Sequence, residues 1–371
     1  MLALTWIKQN ISGFGGDEGN VTALGQSAGS ESLSVLAMAD EVDENRLFRR
    51  AVMMSGTPVT MPAMSPAEHT DNFLSQAGKL GIETKDRHIE DVARDVIDGP
   101  VSKIRDLAWV GSPCTQTDLF PFDKPSMYMM RAGGPEAWKS RKPAIEAQII
   151  GSTTYDGGIS FNMMSRDESR KNHASSFRKI ATKVLGDARG SELCGIYRIQ
   201  DGEKDAEALQ RICLFESDIG FFFAALATCQ ARLIPATYFQ IFDLPNPFDG
   251  PLKELGEYAT HTFDITTLLG GYDESLLPEG YAGVIEQWRS KILDFVVSGK
   301  EPCARYLDRD EEGTALMVGK EGVAEVKREA YMESDGGRRR KLMDLAEKVN
   351  KKTGWDVLWV DVCRRFLMNG E

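Results

Sequence analysis

Four histidines are all that the 371 residues contain, and the six cysteines (Cys114, Cys194, Cys213, Cys229, Cys303 and Cys363) lie far apart, with no Cys-x-x-Cys pair and no histidine close by. That scarcity excludes the ordinary zinc patterns, which need Cys and His ligands at short spacings. Scattered cysteines in a large chain behave as small apolar residues, so buried free thiols are expected, with one or two disulfides if the protein is exported. Basic residues are in deficit as well: 44 Lys and Arg against 56 Asp and Glu leave a formal net charge of −12. A nucleic-acid partner would call for the opposite, a basic face. No apolar run approaches the roughly 20 residues that span a bilayer. The LALTWIKQNI that follows Met1 has no basic n-region, extended apolar core or cleavage site, so no signal peptide is legible either. There is no internal repeat and no low-complexity tract.

What is present is an alternation of strand-like and helix-like segments. Leu4, Ile7 and Ile11 share a helical stripe and lead into the glycine-rich turn GFGGDEGN. VTALGQ reads as a strand, LSVLAMA as a helix and RRAVMMSG as a second buried strand. Residues 60 to 140 are broken by Pro, Gly and Asp and read as excursions covering a sheet, with one helical stretch in AEHTDNFLSQAGKLG. AIEAQIIGST and PATYFQIFD return as strands, and GVIEQWRSKILDFVVSG as a long amphipathic helix ending at Gly299. Such a pattern predicts an α/β fold with a mostly parallel central sheet, in one domain over 1–371. DRDEEGTALMVGKEGVAEVKREA reads as an exposed charged stretch within a C-terminal strand and helix extension, 306–371. In the last helix Trp355, Leu358, Trp359, Val362 and Phe366 share a face, which either packs on its own domain or forms a homodimer.

The segment GQSAG places Ser27 between Gly25 and Gly29 where a strand gives way to a helix. A turn of that kind lifts the hydroxyl out on strained backbone, with glycines on both sides to avoid collision with neighbouring backbone. The pattern alone is weak, since roughly 0.1 to 0.3 such matches arise by chance in a chain this long. Its strand-to-helix context strengthens it. Ser27 is then either an exposed nucleophile, with the Ala28 amide at the helix start aimed at a developing oxyanion, or part of a plain tight turn. A nucleophilic serine needs a base. His69 and His88 sit in charged surface stretches and His173 in a polar loop, whereas His261 follows a strand and a Pro-rich loop. The hydrolase order of nucleophile, acid, histidine singles out His261 and asks for an acid between the two. Asp156, just after the AQIIG strand, fits, although an Asp-Gly dipeptide is also a common turn.

These segments together resemble the type-B carboxylesterases, the α/β-hydrolases that include cholinesterases, fungal lipases of that lineage and bile-salt-type esterases. NISGFGGDEGNVTALGQSAGSESL is similar to the family's nucleophile signature, RLFRRAVMMSG to the segment that follows it, IIGSTTYDGGISF to the acid segment and ATHTFDITTLLGG to the histidine segment. The resemblance runs from residue 1 to about 305. It implies an α/β-hydrolase fold, a Ser27–Asp156–His261 triad, Ala28 as one oxyanion donor, and Ser55 and Gln26 as residues supporting the triad. It also implies a small-molecule or lipid-like ester as substrate, with no metal or organic cofactor.

Three departures from the family pattern bear on activity. Gln26 stands where most members have Glu, which removes a negative charge and argues against a cationic, choline-type substrate. Asp156 replaces the usual Glu and is one methylene shorter. In the family a long N-terminal region supplies further strands and an HGG-type loop with most of the oxyanion amides, so the expectation is a truncated gene model or fragment. The alternative is a catalytically inactive cholinesterase-like interaction protein, or an inert fragment lacking its oxyanion loop.

Overall fold

A computed structural model describes residues 1–38, 47–105, 112–115, 117, 124–139, 142–306 and 313–369. The start of LFPFDKPSMYMM and the charged run 308–312 lie outside them. The chain divides into two compact units, one formed by Met1–Thr60 with Ser126–Glu371 and the other by Met61–Pro125.

The first unit is built on one sheet, β1 (Thr22–Gln26), β2 (Arg50–Met54), β3 (Ala147–Thr153), β4 (Ala236–Phe242), β5 (Thr314–Gly319) and β6 (Gly322–Lys327), in spatial order 1 to 6. Neighbours are parallel through β5, and β6 returns antiparallel. β2, β3 and β4 are buried along their whole length, as expected for parallel strands covered on both faces, which is why they read as continuous apolar runs. β5 corrects the reading of that region as exposed charge, whereas β6 is half-buried to exposed along its length. Thr314, Ala315, Leu316 and Val318 are buried, and the Gly319–Gly322 pair closes a hairpin around Lys320 and Glu321. The flanking charged residues obscured a short apolar strand.

The helix Tyr281–Ser298 buries Tyr281, Val284, Ile285, Trp288, Ile292 and Phe295, a 3.6-residue stripe, onto Val52, Ile149, Tyr238 and Phe242 of the sheet. The Trp288 indole donates to Gln240 Oε1 at 2.8 Å, so the one polar atom of that contact is satisfied. The segment Asp205–Gln230 contains an 18-residue window apolar enough to cross a membrane, but 94% of that window is buried within the chain, as in a core helix. Its SDIGFFFAALA stretch is therefore core packing. The C-terminal stripe Trp355, Leu358, Trp359, Val362 and Phe366 is likewise buried inside the chain, and Trp359 Nε1 donates to Val59 O at 3.0 Å. That face is thus occupied within the protomer. All six cysteines are free thiols, five of them buried.

In the second unit, Ser65 opens the helix Pro66–Lys79 with a complete capping box: its Oγ accepts from Glu68 N, and Glu68 accepts from Ser65 N at 2.8 Å.

Candidate active site

The site forms at the carboxyl ends of the first four strands, where open parallel sheets leave a crevice. Ser27 N donates to Met54 O at 2.8 Å, and Ser55 N to Gly151 O at 2.8 Å, so the ladders extend one residue past β1 and β2. Ser27 then breaks away. Its φ of 56° and ψ of −122° are a strained combination for a residue with a Cβ, held because the strand ends and the helix Ala28–Leu36 begins in one step. The first-turn amides of that helix have no intrahelical acceptor, and Ala28 is exposed, so its N–H is available to a ligand.

Two glycines make this turn fit. A Cβ on Gly25 would lie 2.5 Å from the Gly29 carbonyl, and one on Gly56 would lie 2.1 Å from Ser27 O. Gly29, expected to be needed for the same reason, has open space where its Cβ would be. The second tight contact comes from Gly56, after β2, which the local motif does not include.

Asp156 and His261 are brought together by backbone. Tyr155 N donates to Ala259 O at 3.1 Å, and Tyr155 and Thr260 form an isolated parallel bridge, so Asp156 and His261 each stand one position beyond it. Asp156 is fully buried. Its Oδ1 lies 2.8 Å from His261 Nδ1, and its Oδ2 accepts from Thr153 N at 3.0 Å. That amide also reaches Ser55 Oγ at 3.4 Å, which places Ser55 behind the carboxylate. The shorter Asp side chain reaches the imidazole with ordinary hydrogen-bond geometry.

The other imidazole nitrogen meets a different partner from the one expected. His261 Nε2 lies 3.1 Å from Gln26 Nε2, and among the described residues Ser27 Oγ makes no hydrogen bond. An amide N–H can donate to Nε2 only if that nitrogen carries a lone pair, which puts the ring proton on Nδ1 facing Asp156. This is the tautomer in which Nε2 can accept a proton. Burial alone would lower the imidazole's pKa, but the hydrogen bond and charge of Asp156, with Asp264 and Glu216 beyond, outweigh it and hold the pKa above the usual histidine value. Phe221 packs edge-on against the ring at 5.6 Å.

Sequence reasoning missed the buried acids around this pair. Asp264, three residues after His261, is pushed up to about 7 by burial and then by the charge of Asp156. Glu216 is buried with its Oε1 accepting from Ser160 Oγ at 2.8 Å, and burial pushes it up to about 8. Glu31, one turn after Ser27, is buried with neither carboxyl oxygen partnered; burial pushes it up to about 9 against the pull of Arg364. No local pattern marks these three, because their burial depends on elements distant in the chain. Of the other histidines, His69 and His88 belong to the second unit, and His173 is buried at a helix start rather than in a polar loop. A cavity of about 670 Å³ opens beside His261.

A sequence model of the carboxylesterase family matches residues 1–272. Among curated relatives, Cholinesterase 2 of Branchiostoma lanceolatum is 36% identical over 110 residues, 29% of this chain and 32% of its own. Lipase 3 of Yarrowia lipolytica is 44% identical over 81 residues, 22% of this chain and 16% of its own. The chain thus spans a third or less of the length of these relatives. Among solved structures, EstA of Aspergillus niger superposes with a TM-score of 0.61 at 18% identity, covering 97% of this chain and 68% of that one. The likeness is one of fold, the α/β-hydrolase fold.

Proposed function

The chain belongs to the carboxylesterase family, and from that premise we propose that it hydrolyses carboxylic esters by acyl transfer, with Ser27 as nucleophile, His261 as base and Asp156 as its orienting acid. The observation that carries the reading is the 2.8 Å contact between His261 Nδ1 and Asp156 Oδ1, on the same sheet edge as a serine on strained backbone at the end of β1. Gln26 releases Nε2 as the ester enters. Ser27 Oγ attacks the carbonyl carbon while Nε2 takes its proton, and the oxyanion that forms is met by the Ala28 N–H. The imidazolium then protonates the departing alkoxide, the C–O bond breaks and an acyl-Ser27 remains. Water attacks that ester with His261 again accepting a proton, which passes to Ser27 Oγ as the acyl C–O bond breaks and the carboxylic acid leaves. Asp156 stays ionised throughout and stabilises the imidazolium.

The test is the time course of p-nitrophenyl butyrate hydrolysis by the full chain, by Ser27→Ala and by His261→Ala. Turnover by wild type that is lost in both variants supports the reading. Equal turnover by all three would overturn it.

A further inference from the structure

The cavity beside His261 carries a charge that the triad does not use. Besides His261 and the phenols of Tyr258 and Tyr281, its ionisable lining is Arg166, Asp249, Lys253 and Glu257. Asp249 pairs with Lys253, and Glu257 pairs with Lys320 from outside the cavity. Among the described residues no acid pairs with Arg166. The cavity wall therefore keeps one uncompensated positive charge on a protein whose net charge is −12.

Its position is set by the helix Gly158–Met164, which begins two residues after Asp156. Ile159, Asn162 and Arg166 are spaced three and four apart and all line the cavity, so they form one stripe running outward from the triad. Ser165, at φ −63° and ψ −21°, continues the helical course to Arg166. Seven residues at about 1.5 Å each put the guanidinium's backbone roughly 10 Å beyond Ile159. The order is apolar, then amide, then cation.

Resting on the acyl-transfer reading above, we propose that this stripe selects esters whose acyl chain is apolar near the carbonyl and ends in a carboxylate: half-esters of medium-length dicarboxylic acids, with Arg166 as the specificity-determining residue. Ile159 packs against the methylenes and the guanidinium forks onto the terminal carboxylate.

The experiment compares kcat/KM for p-nitrophenyl hydrogen suberate with that for p-nitrophenyl octanoate, which differs only in its uncharged chain end. The enzymes are wild type, Arg166→Gln and Arg166→Glu, each checked for folding by far-UV circular dichroism. The suberate-to-octanoate ratio is expected to fall about two- to fivefold in Arg166→Gln, the range of a solvent-accessible ion pair, and further in Arg166→Glu. Added salt should lower the ratio for wild type and not for Arg166→Gln. A ratio unaffected by either substitution overturns the inference and leaves the esterase reading standing. If wild type cleaves neither ester, the esterase reading fails, and the inference is decided by calorimetric titration with monoethyl suberate: binding weakened in Arg166→Glu upholds it, and equal binding overturns it.

Discussion

Replacing Gln26 with Glu puts a negative charge at the His261 nitrogen that, in the proposed mechanism, accepts the serine proton. With Gln26 Nε2 at 3.1 Å from His261 Nε2, a carboxylate oxygen in the same place would attract an imidazolium by about 1 kcal/mol at the dielectric of water and about 5 kcal/mol at an effective value near 20. Gln26 is half-buried, so a figure near 2 kcal/mol is reasonable, equivalent to about 1.5 pH units. His261 is already held above the usual histidine value by Asp156, and the added charge acts in the same direction. Acylation needs the neutral imidazole. The acid limb of the pH dependence of kcat/KM for p-nitrophenyl butyrate should therefore start above the ordinary histidine range in wild type and move up by about one to two pH units in Gln26→Glu. Gln26→Met, which is neutral and of similar length, should leave the limb in place. A limb that stays put or moves down in Gln26→Glu would refute both the contact and the role of His261 as base.

Other perturbations test the surrounding structure. Glu31 titrates near 4.5 when unfolded and about 9 when folded, so between those values the native state holds a proton that the unfolded chain has released, and stability falls as pH rises, by up to about 1.4 kcal/mol per pH unit. Glu31→Gln removes that slope, and its melting-temperature advantage over wild type should grow from pH 5 to pH 9; a constant difference would contradict the burial of an unpaired carboxyl. Gly56→Ala forces a Cβ to 2.1 Å from Ser27 O, and should cost about 1 to 3 kcal/mol in urea unfolding together with most of the esterase activity; wild-type behaviour would mean the turn relaxes freely. Asp218 is buried against Arg338 at 2.7 Å and Arg339 at 3.2 Å and accepts from Tyr197 at 2.8 Å. Asp218→Ala leaves two buried guanidinium groups without it and should cost about 3 to 5 kcal/mol, measured by the same denaturation; a loss below about 1 kcal/mol would show that water reaches the pair.

Much of this was legible in the sequence, for identifiable reasons. β2, β3 and β4 announce themselves as unbroken apolar runs because both of their faces are covered. Ser27 announces itself because a strand must become a helix within one residue. His261 and Asp156 could be chosen by their order along the chain, but their convergence depends on the Tyr155–Thr260 bridge, which no local pattern encodes. β5 was hidden because its apolar run is short and lies between charged residues. The need for Gly56 arises from two strands lying side by side, and a motif read along one of them cannot contain it. In the sequence Gln26 shows only the loss of a charge; its amide contact with His261 exists only once the loop after β4 brings His261 to the end of β1.

The central claim is that Ser27 is a nucleophile activated by His261. Incubation with a fluorophosphonate, followed by peptide mass spectrometry, tests it directly. A single phosphonylated peptide carrying Ser27 is expected, with labelling slowed by a factor on the order of 100 or more in His261→Ala. Label at another residue, no label at all, or labelling of Ser27 at the same rate without the histidine would contradict it.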